Sequence, residues 1–227
     1  TDETWKGCDS PILFSEIYHG EIYDASLERE GWRTCITPEG VWNDTVQVPF
    51  DVSVMRAQSG ARVKMIDKVE AKRIFDTPKG EQVIDFGQNM AGRIHVTAHG
   101  KPGDVIHLKC FEVLDAKGNV YLDNLREARA EMKYTFAREE TVTWHPRFTY
   151  MGFQYAQIIS WPGTPKPENF TAYTLHSDME SKGTLVTSNQ LLNQLHHNIL
   201  WGMKGNFLDV PTDCPQRDER LGWTGDA

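Results

Sequence analysis

The stretch Ile94-His-Val-Thr-Ala-His-Gly-Lys-Pro-Gly-Asp-Val-Ile-His-Leu-Lys-Cys110 alternates apolar and polar side chains on both sides of a central turn. Alternation with a period of two is typical of β-strands that bury one face. In the turn, Lys101-Pro-Gly-Asp104 combines a proline, which fixes φ, with a glycine, which supplies positive φ. We therefore predict two strands, Ile94–Ala98 and Ile106–Cys110, separated by a turn.

The same pattern recurs further along the chain. Val142–Trp144 and Tyr155–Ile158 are predicted strands, and Asp115-Ala-Lys-Gly-Asn119 has the composition of a second turn. No helical period intervenes between about residue 60 and residue 175, which favours an antiparallel β-sandwich over a parallel α/β sheet. We interpret Asp85-Phe-Gly-Gln-Asn-Met-Ala-Gly92 as a glycine-permitted bend between two strands, although glycines around amides could also form a binding loop.

The first 55 residues differ in composition from the stretch that follows. They are rich in aromatic and turn residues and contain short apolar segments, among them Ile12–Phe14 and Val46–Val48. We interpret residues 1–55 as the last strands of an N-terminal β-sandwich domain. Residues 56–175 are then a second β-sandwich domain.

A helix is predicted after the segment Trp161–Pro167, whose three prolines stiffen a turn or linker. Ser188 is a candidate N-cap, and apolar residues recur at helical spacing from about 189 to 205. One helix cannot bury such a stripe alone. We expect it to pack on the sandwich, to pair with another copy in a homo-oligomer, or to remain exposed. The stripe consists of Leu191, Leu192, Leu195, Ile199 and Met203.

Composition argues against several classes of function. The 227 residues carry a formal net charge of −8, so we predict no nucleic-acid partner, because such a chain cannot neutralise a row of phosphates. No run approaches the roughly 20 apolar residues of a membrane-spanning helix, and no membrane partner is predicted. Cys8, Cys35, Cys110 and Cys214 lack metal-ligand spacing, so we predict no metal and no cofactor. Four free thiols are favoured, and a Cys8–Cys35 disulfide stays open.

The chain opens at Thr1 on a polar segment that has no signal-peptide pattern, and it closes inside a charge-dense run. We therefore expect an interior piece of a longer polypeptide. The sequence favours no cellular compartment over another.

That charge-dense run, Asp209 to Asp226, holds five carboxylates, two arginines, a tryptophan and two prolines in eighteen residues. Carboxylates are rarely buried unless paired, and prolines and glycines oppose a regular helix, so we predict a rigid irregular loop. Acids that protonate a leaving oxygen and bind hydroxyl groups, beside an aromatic ring, are what a glycosidase requires. Glu219 is the best proton donor, because the acids nearby in sequence disfavour another negative charge. Arg217 and Arg220 oppose that effect and hold its geometry.

The motif Asp213-Cys-Pro-Gln-Arg-Asp-Glu-Arg-Leu-Gly-Trp-Thr-Gly-Asp226 resembles the catalytic signature of bacterial α-L-rhamnosidases, glycoside hydrolase family 78. Gly20-Glu-Ile-Tyr-Asp-Ala25 and Asp85–Gly92 are similar to accessory β-domains of that family, so the resemblance spans most of the chain. It implies that residues 176–227 begin a helical catalytic domain, a truncated (α/α)6 barrel.

The resemblance also implies an inverting hydrolase of terminal α-L-rhamnosyl residues, with rhamnose-containing glycosides or polysaccharides as partners. It makes Glu219 the general acid, while Asp213 and Asp226 hold sugar hydroxyls and Arg217 and Trp223 complete the pocket. The family's general base is a glutamate far downstream. We therefore expect the base to lie outside this chain and the chain alone to be inactive.

Three alternatives stay open from the residues themselves. A β-sandwich with exposed aromatic rings could bind carbohydrate without hydrolysing it, as a non-catalytic module. The acidic run could bind calcium, although its interleaved arginines would repel the ion. An ion-paired loop that only stabilises a domain boundary is the alternative without a function.

Overall fold

The computed structural model describes residues 2, 4–34, 40–220 and 222–225, and within them the chain is mostly β with one α-helix, as predicted. Four short 3-10 helices lie at Ala25–Leu27, Val52–Val54, Asp123–Leu125 and Pro167–Asn169. In chain order the regular elements are β1 Lys6–Gly7, β2 Ile12–Glu16, β3 Gly20–Asp24, β4 Asn43–Asp44, β5 Val63–Glu70, β6 Arg73–Asp76, β7 Gln82–Gly100, β8 Val105–Phe111, β9 Glu131–Thr135, β10 Glu140–Trp144, β11 Met151–Ser160, β12 Phe170–Ser177, α1 Gln190–Asn206, β13 Phe207–Leu208 and β14 Val210–Pro211.

Ten of these strands form one curled sheet in the order β2-β3-β9-β8-β11-β7-β12-β5, with β6 and β10 added to β7. The long strand β7 produces the curl, because its first half pairs with β6 and β11 and its second half with β12 and β10. Among the described strands, every pairing is antiparallel except that of β3 with β9. The hairpin β2–β3 therefore joins the same sheet as residues 63–177.

The alternation of apolar and polar residues in the sequence corresponds to alternating burial in the core. Strands β8 and β9 bury every second side chain, because successive residues of a strand point to opposite faces. Phe86 and Phe153, both fully buried, meet edge to face with ring centroids 5.5 Å apart. All four predicted strands are confirmed, and so are both turns, where Gly103 and Gly118 adopt positive φ.

Two predictions about the β region were wrong in detail. Val46–Val48 forms no strand, and Val46 is 85% exposed, because no described neighbour pairs with the segment. The segment Asp85–Gly92 does not separate two strands but lies inside β7. The chain bulges there, since Phe153 pairs with Met90 while Tyr155 pairs with Asp85, and Gly87 has a φ of 69°.

The predicted helix is confirmed as α1, one residue later than expected at each end. Its N-cap is Asn189 rather than Ser188, because the Asn189 side chain accepts the Leu191 N–H at 2.9 Å. The apolar stripe stays exposed, with Leu191 at 80% and Ile199 at 57%. Lys204 attaches the helix to the sheet through an ion pair with Asp67 at 2.9 Å.

Two further observations bear on composition. Cys8, Cys110 and Cys214 are free thiols, whereas Cys35 lies outside the described residues. No helix in the described part of the chain has the length and apolar character needed to cross a membrane.

Candidate active site

The loop that carries the charge-dense motif starts at the C-terminal end of α1 and turns back across it. Thr212 holds this turn, since its N–H donates to the Asn206 carbonyl at 2.6 Å and its hydroxyl donates to the Gly205 carbonyl at 3.0 Å. The Asp213 N–H donates to the Asn206 side-chain oxygen, and Asp213 has a φ of 57°. Left-handed backbone is uncommon outside glycine, although aspartate tolerates it better than most residues. The helix end therefore sets the position of Asp213.

The Glu219 carboxylate is held by two guanidinium groups that contact the same oxygen. Arg217 Nη2 lies 2.8 Å from Glu219 Oε2, and Arg126 Nη1 lies 3.1 Å from that atom. The neighbouring Asp218 also contacts Arg126, with 3.4 Å between Oδ1 and Nε. Both acids are mostly buried, with side chains 19% exposed at Asp218 and 17% at Glu219.

Arg220 does not join the ion pairs of Asp218 and Glu219 but points into the β region. Its guanidinium donates to the carbonyls of Ile17, Tyr150 and Pro215. It also lies over the ring of Tyr150, 4.2 Å from the centroid. Burial lowers the pKa of Arg220, and the facing rings partly offset that effect. The residue therefore fastens the motif to the sheet.

A second attachment is the close approach of the loop to Gly152 on β11. The Gly152 N–H donates to the Pro215 carbonyl at 3.0 Å. A Cβ atom at Gly152 would lie 2.8 Å from the backbone nitrogen of Gln216, closer than real Cβ atoms approach such atoms. Only glycine allows the loop this contact.

A cleft of about 480 Å³ separates this loop and α1 from the bulge of β7. Polar groups line the side that belongs to the sheet: the Asn89 amide donates to the Glu112 carboxylate at 3.0 Å, and Asn124 donates to its other oxygen at 3.2 Å. Asp213 and Trp201 lie on the opposite side. The lining residues are Gln88, Asn89, Met90, Ala91, Glu112, Asn198, Trp201, Gly202, Gly205, Asp213, Cys214, Pro215 and Gln216.

The predicted site residues are distributed unequally. Arg217 and Glu219 are brought together, Asp213 lies in the cleft, and Trp223 is 50% exposed. Asp226 falls outside the described residues. The backbone of 212–220 and 222–225 is irregular, as the prolines and glycines predicted.

The sequence did not reveal which residues of the β region line the cleft or contact Glu219. Asn89 belongs to the segment interpreted as a bend, whose amides were the only signal of a binding role. Arg126 lies 93 residues before Glu219, and no local pattern marks it.

The Cys214 thiol is a poor nucleophile. Burial and a hydrogen bond to Asp213 raise its pKa to about 12, so it stays protonated near neutral pH. Among the described residues, no group of three or more histidine, cysteine, aspartate or glutamate side chains could hold a metal ion.

Three family models match the chain in succession. Residues 1–67 match the α-L-rhamnosidase N-terminal domain, residues 75–176 the bacterial α-L-rhamnosidase concanavalin-like domain, and residues 180–227 the bacterial α-L-rhamnosidase 6 hairpin glycosidase domain. The chain belongs to the bacterial α-L-rhamnosidase family. The family resemblance of the motif is thereby confirmed.

Curated members of the family align along the whole chain. An α-L-rhamnosidase of Streptomyces avermitilis is 37% identical over 98% of the chain, and one of Formosa agariphila is 37% identical over 100%. The chain covers 22% and 25% of these two proteins. It therefore spans about a quarter of the length of the relatives it matches.

Solved structures of the family share the fold. The α-L-rhamnosidase of Aspergillus terreus superposes with a TM-score of 0.94 at 40% identity, covering 99% of this chain and 26% of that one. The Streptomyces avermitilis enzyme, solved in complex with L-rhamnose, superposes with a TM-score of 0.91 at 36% identity, covering 99% and 22%.

Proposed function

We propose that a polypeptide of the relatives' length containing this chain hydrolyses terminal α-L-rhamnosides with inversion at the anomeric carbon. The observation that carries the proposal is the Glu219 carboxylate, paired with Arg217 in the same loop as Asp213, in a chain whose relatives bear the name α-L-rhamnosidase. The L-rhamnose complex of the Streptomyces avermitilis relative supports rhamnose as the sugar that is bound.

In the proposed reaction Glu219 is the general acid. Its proton passes to the glycosidic oxygen while the bond from that oxygen to the anomeric carbon breaks, and the carboxylate that forms is paired with Arg217. Inversion needs a second carboxylate, roughly 6.5–9.5 Å away, to deprotonate a water whose oxygen bonds to the anomeric carbon from the opposite face of the sugar. We place this base outside the 227 residues.

The other proposed roles concern binding. Asp213 and Asp226 hold sugar hydroxyls, and Arg217 and Trp223 complete the sugar pocket. Rhamnose is a 6-deoxy sugar, so part of its site must be apolar, and the half-exposed Trp223 ring suits a sugar's apolar face. We propose that residues 1–55 close one β domain, that 56–175 form the next, and that 176–227 open an (α/α)6 barrel.

The test is Glu219→Gln in a polypeptide of the relatives' length that contains this chain, called the full-length polypeptide below. The amide is nearly isosteric but cannot donate a proton, so turnover of alkyl or glycosyl rhamnosides should fall about 10²–10⁴-fold, and less for substrates with activated leaving groups. Glu168→Gln, at an exposed position, is the matched control. Normal turnover of the alkyl substrates by Glu219→Gln would contradict the assignment.

Two further measurements test the mechanism and the missing base. Proton NMR at early reaction times should detect the inverted β-anomer of rhamnose first, whereas first release of the α-anomer would indicate retention. The 227-residue chain alone should not turn over an aryl α-L-rhamnoside. Clear turnover would show that the second carboxylate lies within these residues.

A further inference from the structure

Arg126 reaches the proposed general acid from a distant part of the chain. It follows the 3-10 helix Asp123–Leu125 in the β region, with a φ of 58° that residues other than glycine rarely adopt. Leu125 before it is buried, and Asn124 is hydrogen-bonded to Glu112. These contacts fix the backbone from which the Arg126 side chain extends.

The Arg126 guanidinium contacts two consecutive acids of the motif. Its Nε lies 3.4 Å from Asp218 Oδ1, and its Nη1 lies 3.1 Å from Glu219 Oε2. A planar guanidinium presents its N–H donors in a rigid fork, whereas a lysine ammonium presents three donors on a flexible stem. Arg217, two residues before Glu219 in the same loop, contacts the same Oε2 atom.

We propose that Arg126 is a positioning residue for the general acid, supplied by the β region to the catalytic loop; this rests on the proposed role of Glu219. Because Arg126 donates to Oε2 and Arg217 contacts the same oxygen, we place the proton to be transferred on the other oxygen, Oε1. When the proton moves to the leaving oxygen, the negative charge left on Glu219 is shared by two guanidinium groups. Arg126 therefore orients the acid and stabilises the carboxylate that forms.

A purely structural ion pair would have different consequences. The two acids are mostly buried, but the Arg126 side chain is 54% exposed, and Arg217 still pairs with Glu219 when Arg126 is replaced. Variants at this position should therefore fold normally. Misplacement of a reacting group by about 1 Å can nevertheless cost on the order of 10²-fold in rate.

The experiment compares Arg126→Ala, Arg126→Lys and a matched control in the full-length polypeptide. Arg138→Ala is the control, because Arg138 is similarly exposed at 63% and also contacts two acids, Glu30 and Glu140. Each variant is assayed on an alkyl rhamnoside, whose leaving group needs a proton, and on a dinitrophenyl rhamnoside, whose leaving group does not. Thermal unfolding is measured in parallel.

We expect Arg126→Ala to lower kcat on the alkyl substrate by about 10- to 100-fold, with KM and the dinitrophenyl rate little changed. Arg126→Lys should restore part of the loss, and Arg138→Ala should behave as the parent. Equal losses on both substrates, or no difference between Arg126→Ala and Arg138→Ala, would overturn the inference.

A double-mutant cycle separates this inference from the proposed function. If Arg126 acts through Glu219, then Arg126→Ala should cause no further loss in a Glu219→Gln background, because residues that act as a unit are not additive. Additive losses would overturn the role of Arg126 while leaving Glu219 as the acid. Full activity of Glu219→Gln alone would instead overturn the proposed function, and this inference with it.

Discussion

Substituting Gly152 by alanine tests whether the sheet positions the loop that carries Glu219. The new Cβ would lie 2.8 Å from the Gln216 nitrogen and 3.0 Å from the Pro215 carbonyl carbon, both backbone atoms. Ordinary contacts begin at 3.4 Å, so the loop must move by about 0.6 Å or β11 must bend. The backbone of Gly152 does not have positive φ, so the strain comes from this contact alone.

The expected cost follows from that displacement. Forcing atoms into a packed contact typically destabilises a protein by about 1–3 kcal/mol, which a fold of ordinary stability survives. The hydrogen bond from Gly152 to Pro215, 3.0 Å long, would be stretched as well. Because the shift falls on the residues just before Arg217 and Glu219, the full-length polypeptide should lose about 10- to 100-fold in kcat/KM.

The assay pairs urea unfolding with rhamnoside hydrolysis, and Gly183→Ala is the matched control. A Cβ atom at Gly183 would meet no heavy atom within 4 Å beyond its chain neighbours, and Gly183 has no positive φ. Alanine there should therefore change the free energy of unfolding by less than about 0.5 kcal/mol. If Gly152→Ala matched Gly183→Ala in both stability and kcat/KM, the sheet would not position the loop, and the reasoning from the close contact would be refuted.

Two further predictions concern stability. Burial, together with His145 stacked 4.0 Å away and Arg93 nearby, lowers the pKa of His95 from 6.5 to about 4. As pH falls the unfolded chain therefore takes up the proton first, so the urea midpoint should drop between pH 6.5 and 4. The drop should be smaller in His95→Phe, and equal drops in the two proteins would contradict the prediction. The buried Glu21 carboxylate accepts hydrogen bonds from the backbone N–H groups of Arg147 and Phe148 at 3.0 and 3.1 Å. Glu21→Gln turns one acceptor into a donor, so the free energy of unfolding in urea should fall by about 1–3 kcal/mol. A fall no larger than that of Glu168→Gln would refute this prediction.

Local patterns in the sequence were sufficient for the elements themselves. The alternation at Ile94–Ala98 and Ile106–Cys110, the turn between them and the helical spacing after residue 189 each depend on neighbours a few residues away. The irregular backbone at Asp213 was likewise predictable, because proline and glycine act on the chain where they stand. The family resemblance of the final motif also needed only consecutive residues.

What the tertiary structure decided is which distant residues meet. The contact of Arg126 with Glu219 joins positions 93 apart, and it depends on the register of the sheet and on the path of the loop across it. For the same reason Arg220, adjacent to Glu219 in sequence, points to Tyr150 instead, and Asn89 of the β7 bulge faces the cleft. A sequence pattern specifies the direction of a side chain from its own backbone, whereas its partner depends on how separate elements pack.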